Sequence, residues 1–122
     1  MAIVSGDNIN FEVIQGDTFS LSLQYVYTDQ NGVDKPIDIT DYTFTFEVRD
    51  KPAGNILCAT CTIGDGITVT DLVNGKIYLE VTPAKTKKFN YPKSAFQLQA
   101  HNGTQNDTWI MGWFKVDPGV IQ

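Results

Sequence analysis

The chain is poor in the side chains that usually carry chemistry. Histidine occurs once, at His101, and cysteine twice, at Cys58 and Cys61. A lone histidine offers no His pair to a zinc ion. A Ser-His-Asp arrangement is conceivable with any of the serines, but no nucleophile-elbow motif supports it. His101 lies beside the Asn102-Gly103 turn and reads as a surface residue. Cys58 and Cys61 form a C-x-x-C within a strand-like run. An offset of three on a strand points the two side chains to opposite faces. The expectation is one buried and one exposed thiol, neither bridged nor sharing a metal, with no second Cys/His pair for zinc.

Basic residues are also few, 9 against 14 acidic, for a net charge of −5. Phosphate backbones call for clustered Lys and Arg, and the one cluster here is Lys85, Lys87 and Lys88. No nucleic-acid partner is expected. No apolar run approaches the roughly 18 residues of a membrane-crossing helix, so no membrane insertion is expected. The start, Met1 to Gly6, has neither the basic region nor the apolar stretch of a signal peptide. Synthesis in the cytoplasm follows as an expectation.

Other motifs fall short of a site. Asp29, Asn31 and Asp34 crowd one loop, but the twelfth position counted from Asp29 is Thr40, where a calcium loop places Glu. Turn chemistry accounts for the same residues. Gly64-Asp65-Gly66 lacks the Lys and the spacing of a phosphate loop. Asn102-Gly103-Thr104 and Asn106-Asp107-Thr108 match glycosylation sequons and read here as exposed turns. No catalytic, cofactor-binding or metal-ligating residue is assigned, and the chain is expected not to be an enzyme.

What is abundant is period-two alternation. The 122 residues are 42% hydrophobic and 19% charged, a globular composition for one domain. Phe19, Leu21, Leu23, Tyr25 and Tyr27 share one face of a run whose other face is mostly polar. Tyr42, Phe44, Phe46 and Val48 repeat the pattern, as do Ile77, Leu79 and Val81, then Phe96, Leu98 and Ala100. Asn31-Gly32, Asn74-Gly75 and Asn102-Gly103 supply reversals. Thr82 followed by Pro83 is the one helical start signal, enough for about a turn.

The reading is all-β: an immunoglobulin-like antiparallel β-sandwich of about seven strands with one short helical turn. The domain is placed at 11–118, with an N-terminal arm at 1–10 and a tail at 119–122. The last strand stands apart, because both of its faces are apolar. With Ile110, Phe114 and Val116 inward, Trp109, Met111 and Trp113 face out. Trp and Met are enriched at interface cores. These three, with Ile3 and Val4 of the arm, are the candidate partner contacts; the alternative is cover by a tail or loop of the same chain.

Several segments together resemble a known group. They are Ile14-Gln15-Gly16-Asp17-Thr18-Phe19, Pro36 to Phe44 with its Asp38-Ile39-Thr40-Asp41-Tyr42, Asn74-Gly75-Lys76-Ile77, Thr82-Pro83-Ala84-Lys85-Thr86, and Gly112 to Pro118. This pattern resembles small β-sandwich virion proteins of tailed bacteriophages and the N-terminal domain of phage baseplate upper proteins. The resemblance implies a non-enzymatic structural part of a virion: a tail or baseplate adaptor, or a fibre-attachment protein. Its implied partners are other phage structural proteins in multiple symmetric copies. Capsid decoration and carbohydrate binding are the alternatives.

Overall fold

A computed structural model describes residues 6–120, with side chains from Ile9 onward. The candidates Ile3 and Val4 lie outside the described residues. Ten strands and one helical turn follow in the order β1 (Gly6–Ile14), β2 (Phe19–Gln24), β3 (Val26–Thr28), β4 (Asp34–Pro36), β5 (Thr43–Arg49), β6 (Leu57–Ile63), β7 (Gly66–Asp71), β8 (Lys76–Val81), α1 (Pro83–Thr86), β9 (Lys93–Asn102) and β10 (Gln105–Asp117). β1 begins at Gly6, inside the stretch read as an arm.

The all-β expectation holds, but the strands do not divide into the two sheets of an immunoglobulin-like sandwich. Eight of them form one sheet, in the order β1-β10-β9-β5-β6-β7-β8-β2, and β3-β4 stand as a separate hairpin. The sheet turns a corner between β6 and β7, which pair in parallel at only two positions. Gly66 occupies this corner with φ +97°, and a Cβ there would sit 2.7 Å from Cys61 Sγ. Beyond the corner the sheet comes round on itself, barrel-like. Its two edges, β1 and β2, face each other through Phe11 and Phe19, with ring centroids 5.2 Å apart.

Phe114 of β10 fills the space that this curl encloses. It is fully buried. Its ring lies 4.9 Å from Phe19, 5.1 Å from both Phe89 and Phe96, 5.8 Å from Phe11 and 6.4 Å from Phe46. Strands from both edges of the sheet therefore meet on one side chain. Aromatic pairs at such separations add about 0.5–1.5 kcal/mol each beyond the area they bury.

The run from Phe19 to Tyr27, read as one strand, is two. At Tyr25 the chain leaves the large sheet: Tyr25 donates its backbone N–H to Gly75 at 2.7 Å, and Ile37 donates to the Tyr25 carbonyl at 2.9 Å. Tyr27, expected inward, is consequently exposed on the hairpin. The short helix forms as Thr82-Pro83 suggests, though Thr82 makes no side-chain cap. Its buried Thr86 receives the Gly16 N–H at 3.1 Å and donates its hydroxyl to the Asp17 carbonyl at 2.7 Å. Gln15 reaches the Phe89 carbonyl at 2.8 Å. Two motifs far apart in sequence, Gln15-Gly16-Asp17 and Pro83 to Thr86, are thus one hydrogen-bonded corner.

Of the register irregularities among the described strands, two β-bulges reset the alternation at residues singled out above. On β10, Thr108 pairs with Gln99 and Ile110 with Leu98, so Trp109 is an extra residue without a partner. On β6, Ala59 pairs with Val48 and Leu57 with Arg49, so Cys58 is extra. A bulge lets neighbouring side chains point the same way. Trp109 and Ile110 are both buried, and so are Cys58, Ala59 and Cys61. This corrects two expectations: Trp109 faces the core rather than outward, and neither cysteine is exposed. Both thiols are free.

β1 lies parallel along β10, with Phe11 opposite Phe114 and Val13 opposite Val116. The approach is close at Gly112. A Cβ there would overlap the Ile9 backbone, whose nitrogen would be 2.7 Å away. Gly112→Ala is therefore expected to cost about 1–3 kcal/mol in chemical denaturation, with β1 amides losing hydrogen-exchange protection first. An unchanged midpoint would show that β1 is not seated on Gly112.

Two turns are fixed by carboxylates. Asp38 accepts from the Thr40 hydroxyl and N–H, and Asp71 accepts from the Asn74 side chain and N–H. These bonds hold both carboxyls below their ordinary pKa. Each folded value lies under the unfolded one, so the contribution is present above the unfolded pKa and is lost as pH falls through the folded value. Asp38→Ala and Asp71→Ala should each be less stable than the parent at neutral pH. The gap should close in acid, read by thermal unfolding across a pH series.

Candidate interaction face

The outer face of β10, β9 and β5 is built in rows set by strand register. Trp113 stands opposite Ala95, which stands opposite Arg49. The next row is Met111, Gln97 and Glu47. Ala95 points outward yet is only 6% exposed, because its tall neighbours cover it. A small residue between Trp113 and Arg49 leaves a trough. The result is a groove of about 510 Å³, floored by Ala95 and walled by Met111, Trp113, Arg49 and the loop Lys51-Pro52-Ala53.

The far wall is held by ionic and backbone contacts. Arg49 Nη2 lies 3.0 Å from Glu47 Oε1, and Arg49 Nη1 donates to the Gly54 carbonyl at 3.0 Å. Ala53 sits in the left-handed region, at φ 55°. A non-glycine residue there carries backbone strain, and such positions gather at ligand clamps and switch regions. On the near side, the Lys93 ammonium rests 4.4 Å above the Trp113 ring. This cation–π contact holds the indole upright at about 0.5–1 kcal/mol for an exposed pair. Behind Trp113 a second groove, of about 490 Å³, runs between Phe11, Glu12, Pro92 and Lys115. Trp113 is thus a ridge with a hollow on either side.

The remainder of the face is polar and knitted together. Gln97 donates to the Thr108 hydroxyl at 2.7 Å. His101 bridges Asn106 at 2.6 Å and Thr45 at 3.2 Å, and is half-buried rather than freely exposed. At the sheet corner, Lys85 Nζ donates to Asp65 Oδ1 and to the Thr60 carbonyl, each at 2.8 Å, and lies 3.6 Å from Cys61 Sγ. Burial alone would lower the lysine; the bond to Asp65, with Cys61 alongside, carries it above its ordinary value. Burial pushes the Cys61 thiol up, away from the thiolate a nucleophile needs. Burial, with Asp107 and Tyr42 near, likewise raises Tyr25. Among the described residues no three His, Cys, Asp or Glu side chains gather as a metal site would require. In the Asp29 loop, the carboxylate accepts the N–H groups of Asn31 and Val33, both at 2.9 Å, and closes a turn.

Of the candidate contacts, the structure places Met111 and Trp113 on this face and Trp109 in the core, 4.8 Å from Tyr25 and 5.8 Å from Phe44. Arg49, Lys93, Ala95 and the Lys51-Pro52-Ala53 loop complete the groove. The outward alternation of Glu47 and Arg49 was readable in sequence; the register bringing Arg49 to Trp113 through Ala95 was not.

The two tryptophans should therefore separate. Trp109→Ala is expected to cost about 3–5 kcal/mol, and Trp113→Ala no more than about 1 kcal/mol. In Trp→Phe variants, fluorescence from Trp113 should be quenched readily by iodide and that from Trp109 hardly at all. Equal quenching would contradict the bulge.

No model of a known protein family and no curated sequence matches the chain. The fold does have a counterpart. It resembles the N-terminal domain of phage TP901-1 ORF48 at a TM-score of 0.54 and 10% identity, over 95% of this chain and 92% of that one. At this identity the likeness is one of fold, and it extends over nearly the whole of both chains.

Proposed function

We propose that this chain is a non-enzymatic structural component of a tailed-phage virion, a tail or baseplate adaptor or fibre-attachment protein acting through protein–protein contacts. The observation that carries this reading is the fold likeness to a phage protein domain across 95% of the chain. The motifs resembling baseplate upper proteins point the same way, and the Gln15-Gly16-Asp17 and Thr86 segments among them form one structural corner. The groove beside Trp113 supplies a surface for assembly, and its ridge-and-hollow form suits a protein partner. Repetition around a symmetric particle would let modest contacts act together. In this reading the protein is made in the host cytoplasm, resides in the virion, and needs no cofactor, nucleic acid or membrane.

Immunogold labelling of intact particles tests the assignment. Label at the tail tip or fibre attachment points is expected. Label over the head would replace the adaptor reading with capsid decoration. Particles without label, together with binding to a glycan array, would overturn both in favour of a carbohydrate-binding module.

A further inference from the structure

Charge is unevenly spread over this acidic chain. The two grooves flanking Trp113 are lined by four basic residues, Arg49, Lys51, Lys93 and Lys115, against Glu12 and Glu47. The chain as a whole has 9 basic and 14 acidic residues, so five basic and twelve acidic residues lie elsewhere. Glu47 is already paired with Arg49. The Trp113 ridge is thus a locally basic, partly apolar surface on a protein that is otherwise strongly acidic.

A surface of the opposite kind occurs on the same chain. The β3–β4 hairpin, the loop after it and the β7–β8 turn form one end, joined by Ile37 donating to Tyr25, Tyr25 to Gly75 and Ile39 to Leu72. This end carries Asp29, Asp34, Asp38, Asp41 and Asp71 against Lys35 and Lys76. Two of these carboxyls, Asp38 and Asp71, are held below their ordinary pKa by the bonds described above. It also exposes apolar bulk: Val73 is 66% exposed, Tyr27 53%, Val33 49% and Leu72 46%. Lone exposed apolar residues are ordinary, but four gathered at one end, among carboxylates, mark a contact surface. The two surfaces share no residue.

We infer that the Trp113 grooves receive the acidic hairpin end of a second copy of this chain, in a head-to-tail contact. The apolar residues of the end would lie against Met111 and Trp113, and its carboxylates against Lys51, Lys93 and Lys115. A contact between two different patches is heterologous, and repetition closes it into a ring or extends it as a filament. This inference rests on the virion reading only for its setting; the contact itself follows from the two surfaces.

Sedimentation velocity on the full chain tests it. The wild type should associate progressively as concentration rises, and at least about tenfold more weakly in high salt. A groove variant, Lys93→Gln with Trp113→Ala, and an end variant, Asp34→Asn with Asp41→Asn and Val73→Ser, should each remain monomeric. Mixed, they should form a one-to-one complex and nothing larger, because one intact groove then meets one intact end. Circular dichroism confirms that both are folded; should the groove variant unfold, Lys51→Gln with Lys93→Gln replaces it. A wild type that stays monomeric at every concentration overturns the inference. So do folded variants that self-associate like the parent, or that fail to complement when mixed. Self-association in a protein missing from particles would sink the virion reading alone; a monomer that labels the tail would sink this contact alone.

Discussion

The architecture depends on a single buried ring. Phe114 takes contacts from Phe11 on one edge of the large sheet and from Phe19 on the other, and from Phe46, Phe89 and Phe96 between them. Eight strands in one sheet would otherwise be an open ribbon with two exposed edges. Gathering both edges on one aromatic bends the ribbon round and encloses the core. Other features then follow from that curl: the corner at Gly66, where no side chain fits, and the tie from Thr86 to the turn before β2. The bulge at Trp109 belongs to the same logic. It turns a large side chain inward, where Tyr25, Phe44 and Ile110 close the other end of the core.

Much of this was legible because strands report burial through alternation. Phe44, Phe46 and Val48, then Ile77, Leu79 and Val81, then Phe96, Leu98 and Ala100 are inward as the pattern requires. The turn glycines and the helical turn at Pro83 were equally plain, since local chemistry sets them. The failures share a different cause. Trp109, Cys58 and Tyr27 each lie where one residue or one break resets the phase, and a phase reset leaves no mark in composition. The parallel seating of β1 on β10 and the single curled sheet are long-range facts. They depend on which strand neighbours which, and alternation says nothing of that.

The candidate face shows the same division. The outward Met111 and Trp113 could be read from the strand; the groove could not, because it exists only where Ala95 meets Arg49 and Trp113 across three strands. The sequence total of −5 also hid the sorting of charge, which becomes visible only when residues are assigned to surfaces. Under the proposed assembly role, the information would lie in the shapes and charges that the chain presents, and these are products of register.

The parallel pairing of β1 and β10 has a mechanical consequence. Because the two strands run the same way, a pull that draws the start of β1 away from the end of β10 acts along the strands and in opposite senses. The ladder from Ile9–Gly112 to Ile14–Asp117 is then sheared, so its hydrogen bonds must yield together rather than one after another. An antiparallel hairpin pulled from its open end would unzip bond by bond. Gly112 runs so close to the Ile9 backbone that a Cβ would not fit between them, which leaves little room for sliding. Tension along β1 and β10 therefore loads the whole ladder at once.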